Sequence, residues 1–246
     1  MKLLALLLLA IDPAKLIDLT YAFDSQTIYW PNAKGFSYRR DSFQKTPQGF
    51  FYAAGGFSMD EHGGTHVDAP IHFSEGKQTL DAIPAEKFVG PAFVIDISAQ
   101  SAKNRDYTAT PADIAAFEKQ HGPIPAGAIV VFRTGWGKYW PNRKAYLGSD
   151  VPGDTQNLHF PGISKQAAAV LAQRRVTAIG IDTASTDPGN SKLFEAHQVI
   201  SGANIYGIEN IANADRLPAK GATLIVAPLK IKGGSGGPAR VFAVLP

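Results

Sequence analysis

His62-Gly63-Gly64-Thr65-His66-Val67-Asp68-Ala69-Pro70-Ile71-His72-Phe73 carries three of the chain's six histidines within eleven residues, with an aspartate between the last two. Imidazole nitrogens and carboxylate oxygens are the ligands that zinc, manganese and iron(II) accept, and these groups move protons at neutral pH. The segment therefore predicts a metal site built mostly from one stretch of chain. His62 and His66 are four apart, as in helical zinc-protease motifs. A helix does not suit the residues between and after them. Gly63 and Gly64 lie inside the interval, Val67 is β-branched, and Pro70 would break the next turn. In an extended segment His66 and Asp68 share one face. The glycines let the chain bend so that His62 meets the same point. His72 keeps the parity of His66, but Pro70 redirects the chain before it, which places His72 near a metal without binding it. The bland reading, a polar loop with scattered histidines, does not account for this density.

Outward from this segment, short β-rich runs dominate. Residues 16–20, 92–97, 128–132, 177–181, 205–208, 223–226 and 240–244 read as strands. Thr110 caps one helix, with Pro111 at its first position and Gly122 beyond its end. Ser164 caps a second helix through residues 167–172, and a third is expected over residues 193–199. Each apolar strand must be covered on at least one face. No low-complexity linker, repeat or charge block marks a boundary, so residues 11–246 read as a single domain. A chain of 246 residues is long enough to bury a sizeable core.

Composition excludes several classes. The hydrophobic share of 45% and charged share of 18% are those of a globular protein. A net charge of +3 without a long Lys/Arg run leaves no electrostatic footprint for nucleic acid. The absence of cysteine excludes disulfides, zinc–cysteine sites and thiol catalysis, and leaves the redox compartment open. Residues 1–10 place one lysine before an apolar run and read like the front of a secretory signal peptide. The run is too short for a membrane span of about 20 residues. It lacks a convincing cleavage site, and Ile11-Asp12-Pro13 follows at once. It predicts a secreted or periplasmic protein; a short packed helix in a cytoplasmic one is the alternative.

His62-x-Gly64-Thr65-His66-x-Asp68-x-Pro70-x-His72 resembles the signature of the cyclase family of metal-dependent hydrolases, which includes bacterial kynurenine formamidases and isatin hydrolases. The segment from Ile181 to Pro188 (Ile-Asp-Thr-Ala-Ser-Thr-Asp-Pro) resembles the family's second block. Ala196-His197 and Ile208-Glu209-Asn210 resemble its third. Ala227-Pro228-Leu229-Lys230-Ile231 with Gly233-Gly234-Ser235-Gly236 resembles its closing strand and loop. The blocks occur in the right order over roughly residues 16–246. The resemblance implies an α/β fold with a β-barrel-like core of mixed strands and flanking helices. It also implies a homo-oligomer, a dimer or larger.

The same resemblance assigns roles residue by residue. His62, His66 and Asp68 bind one divalent metal, zinc or manganese. Asp68 bridges to a second ion held by His197 and Glu209. Some isatin-hydrolase-like members lack the glutamate and use one ion; this chain keeps it, which favours two. The twelve residues from His197 to Glu209 suffice to leave a helix, turn and enter a strand. The chemistry implied is attack by a metal-bound hydroxide on an aryl formamide or similar small amide. His72 passes the proton to the leaving group, with orientation of Asp68 as its other reading. The alternatives are opening of a cyclic amide, imide or lactone, and a catalytically silent module that holds metal structurally. A serine nucleophile is less attractive, because Ser185 and Ser201 lack a Gly-x-Ser-x-Gly context. Gly234-Ser235-Gly236-Gly237 lacks the lysine of a phosphate loop and reads as a flexible turn.

Aromatic residues are the remaining candidates. Tyr29-Trp30-Pro31 matches an aromatic–proline element near the family's active-site mouth, so Trp30 is expected to stack on an aryl substrate, or else to be an ordinary half-buried tryptophan. Phe50, Phe51 and Tyr52 are expected to wall the pocket or fill the core. Trp136 and Trp140 are expected to be structural. Thr183 and Ser185 either reach the site or bond locally in a turn.

Overall fold

The computed structural model describes residues 11–246, and the signal-like reading of residues 1–10 lies outside the described residues. The elements run in the order β1 (Leu16–Asp18), β2 (Ser37–Lys45), β3 (Phe51–Ser58), β4 (His66–Asp68), β5 (Val89–Asp96), α1 (Ser98–Lys103), β6 (Thr108–Ala109), α2 (Pro111–His121), β7 (Ile129–Arg133), α3 (Arg143–Leu147), β8 (Gly162–Ile163), α4 (Lys165–Gln173), β9 (Ala178–Ile181), α5 (Glu195–Gly202), β10 (Tyr206–Glu209), β11 (Lys220–Pro228) and β12 (Gly236–Val244). The strand order β12-β11-β5-β7-β9-β10-β4 returns on itself, because β4 pairs with β12 as well as with β10. The result is a closed, mixed, seven-stranded barrel. Strands β5, β7, β9 and β10 run parallel, and β4, β11 and β12 pair antiparallel to their neighbours. Closure leaves the barrel without a free sheet edge.

Side-chain alternation divides the apolar residues between two cores. Ala92, Val94, Ile129, Val131, Ala178 and Ile208 point into the barrel, where Val67, Leu224 and Val241 join them. Their neighbours Ile95, Val130, Phe132, Ile179 and Ile181 point outward and are buried with Ile114 and Phe117 of α2, Leu171 of α4 and Ile200 of α5. Burial on both faces is why these strands read as unbroken apolar runs. The helix caps follow the expected chemistry. Thr110 and Asp113 form a reciprocal capping box on α2, and the Ser164 side chain accepts from the Ala167 N–H at the start of α4.

Three sequence expectations change. The helix expected over residues 193–199 begins at Glu195, because Phe194 sits in the left-handed region at φ 50° and its predecessor cannot join the helical run. Gly236 and Gly237 are strand residues paired with Asp68 and Val67, not a flexible turn. Phe50, Phe51 and Tyr52 neither wall the cavity nor fill the core. They are 59%, 56% and 53% exposed, at or beside the tip of a separate two-stranded hairpin of β2 and β3. That hairpin escapes a search for apolar alternation because Arg39-Arg40-Asp41 interrupts β2.

Leu224 is fully buried inside the barrel. Leu224→Ala should lower the unfolding free energy by about 2–5 kcal/mol through lost burial and a residual cavity. Equilibrium urea unfolding monitored by circular dichroism measures this.

Candidate functional site

The site is built on the strand that closes the barrel. Within β4, Val67 points inward, so His66 and Asp68 point outward together. Glu209 of β10 stands directly opposite His66 in the antiparallel register, which puts its carboxylate on the same face. The residues opposite Asp68 on its two neighbouring strands are Gly207 and Gly236. A Cβ at Gly236 would lie 2.4 Å from His62 Cε1, so the glycine leaves the space that the His62 ring occupies. Gly64, at φ +54°, makes the bend that returns His62 to this point. Pro70 opens the 3-10 turn Pro70–His72 and brings His72 back beside His62, their rings stacked at 3.8 Å.

Asp68 is the shared partner. Its Oδ1 lies 2.6 Å from His62 Nδ1 and 3.1 Å from His66 Nε2, and its Oδ2 lies 3.3 Å from His197 Nε2. Glu209 lies 3.5 Å from His66 Nε2 and 3.1 Å from His197 Nε2. The structure thus brings His62, His66, Asp68, His197 and Glu209 together. His72 joins them: one ligand atom from each of His62, Asp68 and His72 falls within 4.8 Å of the others, as it does for His66, Asp68 and Glu209. His72, placed outside the ligand set by sequence, is geometrically available to it. Trp30 lines the same cavity, of about 290 Å³.

These residues fit a divalent cation. His66 Nε2 is buried and makes no hydrogen bond among the described residues, despite two carboxylates within reach. A buried polar atom without a partner is costly, and a cation between the carboxylates would satisfy it. The donor set, imidazole and carboxylate only, suits zinc or manganese. The electrostatics point the same way. Burial opposes charge on His66, yet Asp68 and Glu209 override it and raise its pKa to about 9. Burial likewise opposes charge on His197, but hydrogen bonds to Asp187, Asp68 and Glu209 hold its pKa well above the usual imidazole value. His72, with less negative charge beside it, is pushed down to about 4 by burial and by the neighbouring imidazoles, against the pull of Asp68. Burial and the Asp68 charge raise Glu209.

Several positioning residues were not singled out by the sequence reading. Asp187 accepts from the backbone N–H groups of Ala196 and His197, capping α5 from the loop that leads into it, and its Oδ2 lies 2.6 Å from His197 Nδ1. That contact aims Nε2 at the cluster. His66 is held differently: its Nδ1 lies 3.0 Å from Gly64 O, which also accepts from Asn210 Nδ2 at 2.8 Å. Asn210 Oδ1 and Asp182 O each lie 2.9 Å from the buried Tyr146 hydroxyl. Ser235 bridges His62 Nε2 and Glu61, at 2.9 and 2.5 Å. Asp187 and Asn210 lie within the quoted motif blocks, the signal that could have found them; Tyr146 and Glu61 carried none. Ser185 lines the cavity, whereas Thr183 bonds locally to Ser185 O at 2.9 Å. Trp136 is buried and donates to Tyr146 O, and Trp140 stacks on Tyr21 at 4.0 Å, both structural places.

The fold agrees with that of the solved relatives. The family model described as putative cyclase matches residues 17–188, and the chain belongs to the cyclase family, whose characterised relatives are hydrolases. It is 38% identical over 206 residues to isatin hydrolase of Roseibium aggregatum, covering 80% of this chain and 77% of that one. It is 28% identical over 233 residues to kynurenine formamidase of Salinibacter ruber, covering 92% of this chain and 95% of that one. Among solved structures, isatin hydrolase A from Ralstonia solanacearum superimposes with a TM-score of 0.85 at 36% identity, over 94% of this chain and 92% of that one.

Asn210 adopts φ 53°, so Asn210→Gly removes the amide without straining the backbone. The expected result is a weaker metal affinity, by no more than the roughly 10–100-fold that losing a ligand's own outer hydrogen bond costs, because Asn210 holds the Gly64 carbonyl that orients His66. A chelator competition titration reads it, and far-UV circular dichroism should be unchanged.

Proposed function

We propose that this chain hydrolyses the amide bond of a small cyclic aryl amide of the isatin type, with a divalent metal held by the cluster around Asp68. The carrying observation is the aromatic wall that faces the cluster. The Phe73 ring lies 4.4 Å from that of His197, Phe194 lies 5.4 Å from Phe73, and Trp30 lies 5.8 Å from Phe194. These rings pack against one another and line the cavity as an apolar wall on which a flat aryl group can stack. Its carbonyl then falls toward His62, His66 and Asp68.

In this reading His62, His66 and Asp68 would hold one ion, and His197 and Glu209 would hold a second. A bound divalent cation makes water acidic enough to ionise near pH 7 and polarises a carbonyl. The chain's own groups do the rest. Asp187 and Gly64 O fix the orientation of His197 and His66. Trp30, Phe73 and Phe194 hold the aryl ring and exclude water from that side. His72 lines the cavity with its ring on His62, placed to carry a proton to the departing nitrogen. Identity is higher to an isatin hydrolase than to the kynurenine formamidases, which supports ring opening over deformylation. Retention of Glu209 supports the second reading, an aryl formamide substrate.

The two readings separate on assay of isatin against N-formylkynurenine with the same metal-loaded protein. Isatin should turn over with the larger kcat/KM, and the reverse order would reject ring opening as the main activity. Metal analysis should give two ions per chain; a firm value of one would remove the second site. Both His66→Ala and chelation should abolish hydrolysis while the barrel stays folded, because its core does not depend on metal.

His72→Ala should cut turnover of an amide by about 10²–10⁴-fold, the contribution of a positioned acid or base. Metal content should remain at the wild-type level, and an activated aryl ester should lose less. Loss of metal from the variant would make His72 a ligand instead.

A further inference from the structure

Gly234-Ser235-Gly236 leads into β12 beside His62, and its two glycines make room for two different side chains. A Cβ at Gly234 would lie 3.0 Å from Glu61 Oε1, and one at Gly236 would lie 2.4 Å from His62 Cε1. Ser235, between them, touches both neighbours. Glu61 Oε2 accepts from the Ser235 backbone N–H at 3.0 Å and from its hydroxyl at 2.5 Å, and Ser235 Oγ lies 2.9 Å from His62 Nε2. The Ser235 carbonyl accepts from the Ala69 N–H at 2.8 Å, which ties the segment to the residue after Asp68. Carboxylate, hydroxyl and imidazole thus form a relay seated on one tripeptide. His62 needs such a support more than the other candidate ligands do. Its side chain is 24% exposed, whereas those of His66 and His197 are 2% and 5% exposed and are held by packing.

The direction of the hydrogen bonds follows from what each group can do. An ionised carboxylate only accepts, so the single hydroxyl proton of Ser235 goes to Glu61. The Ser235 oxygen then faces His62 Nε2 with lone pairs alone, and Nε2 carries the proton of the neutral ring. Nδ1 keeps its lone pair on the side of Asp68, whose Oδ1 lies 2.6 Å away. His66 and His197 are fixed the opposite way. The Nδ1 of each faces an oxygen that only accepts, Gly64 O at 3.0 Å and Asp187 Oδ2 at 2.6 Å, which leaves Nε2 free on both rings. We propose that Glu61, acting through Ser235, is a positioning residue that makes His62 present Nδ1 to the divalent ion, while His66 and His197 present Nε2. The inference rests on the reading that the cluster around Asp68 holds such an ion. A neutral imidazole has one lone pair, and the other tautomer would aim an N–H at the cation. The relay also fixes the plane of the ring on which His72 stacks at 3.8 Å.

Long-range proton–nitrogen correlation spectra of the histidine side chains, recorded on the full chain loaded with diamagnetic zinc, test this. The His62 ring, assigned from its backbone amide, should carry a proton on Nε2 and show the metal-shifted nitrogen at Nδ1. His66 and His197 should show the reverse. Ser235→Ala should weaken zinc affinity by roughly 10–100-fold in a chelator competition titration, the cost of losing the outer partner of a ligand, with unchanged far-UV circular dichroism. Ser235→Thr returns the hydroxyl and should recover most of that affinity. Glu61→Gln keeps the size of a partly exposed side chain but can donate as well as accept, so it releases the direction of the relay and should also weaken zinc. It carries the test if Ser235→Ala does not fold. Zinc bound through Nε2 of His62 would overturn the proposal. So would a zinc affinity that a folded Ser235→Ala or Glu61→Gln leaves unchanged, or a loss that Ser235→Thr does not recover. A wild type that takes up no zinc would instead remove the metal reading, and this inference with it.

Discussion

The site is organised around one buried carboxylate. Asp68 stands on the three-residue strand that closes the barrel and lies within 3.3 Å of His62, His66 and His197. Burying a carboxylate is costly unless charge and hydrogen bonds compensate it. Here the imidazoles do so, and they hold the Asp68 pKa well below its ordinary value against the opposing effect of burial. Glu209, equally buried and beside the Asp68 charge, is pushed the other way. Two carboxylates and three imidazoles in one enclosed space form a site that accepts positive charge, whether as protons or as metal ions.

Barrel geometry explains why these five groups meet. Side-chain parity fixes His66 and Asp68 to the outer face once Val67 is inside, and antiparallel register fixes Glu209 opposite His66. His197 comes from the helix that precedes β10, and the Asp187 carboxylate both caps that helix and turns the imidazole toward Asp68. The same interaction that starts α5 therefore orients a candidate ligand. Thr186, next to Asp187, donates its backbone N–H to Glu209 at 2.8 Å, so one loop after β9 sets both distal groups.

The wall facing the cluster has a separate origin. Phe194 holds a left-handed backbone conformation that is uncommon for a bulky residue. This delays the start of α5 and leaves the Phe194 ring beside Trp30 and Phe73. Aromatic packing at the cavity and aromatic exposure on the hairpin are thus distinct features. The first surrounds the reacting groups, while the second lies on a ribbon that leaves the body of the protein beyond Phe36.

By itself the sequence determined the local chemistry and most of the regular structure. The density of histidine between His62 and His72, the extended parity of His66 and Asp68, the caps at Thr110 and Ser164, and the apolar runs of the parallel strands follow from residue type and short spacing. Those properties act within a few residues, so they can be read along a line. Tertiary structure decided what depends on separation in the chain. Closure of the barrel through the β4–β12 pairing joins residues about 170 apart. The Tyr146–Asn210–Gly64 connection behind His66 joins α3 to two segments distant in the chain, and no local pattern at Tyr146 announces it. The exposure of Phe50, Phe51 and Tyr52 was opposite to their apolar character, because hydrophobicity states what a side chain gains by burial and not which surface provides it. His72 belongs to both levels: Pro70 announced that the chain would turn there, but only the folded position beside His62 and Asp68 set how near the cluster it comes.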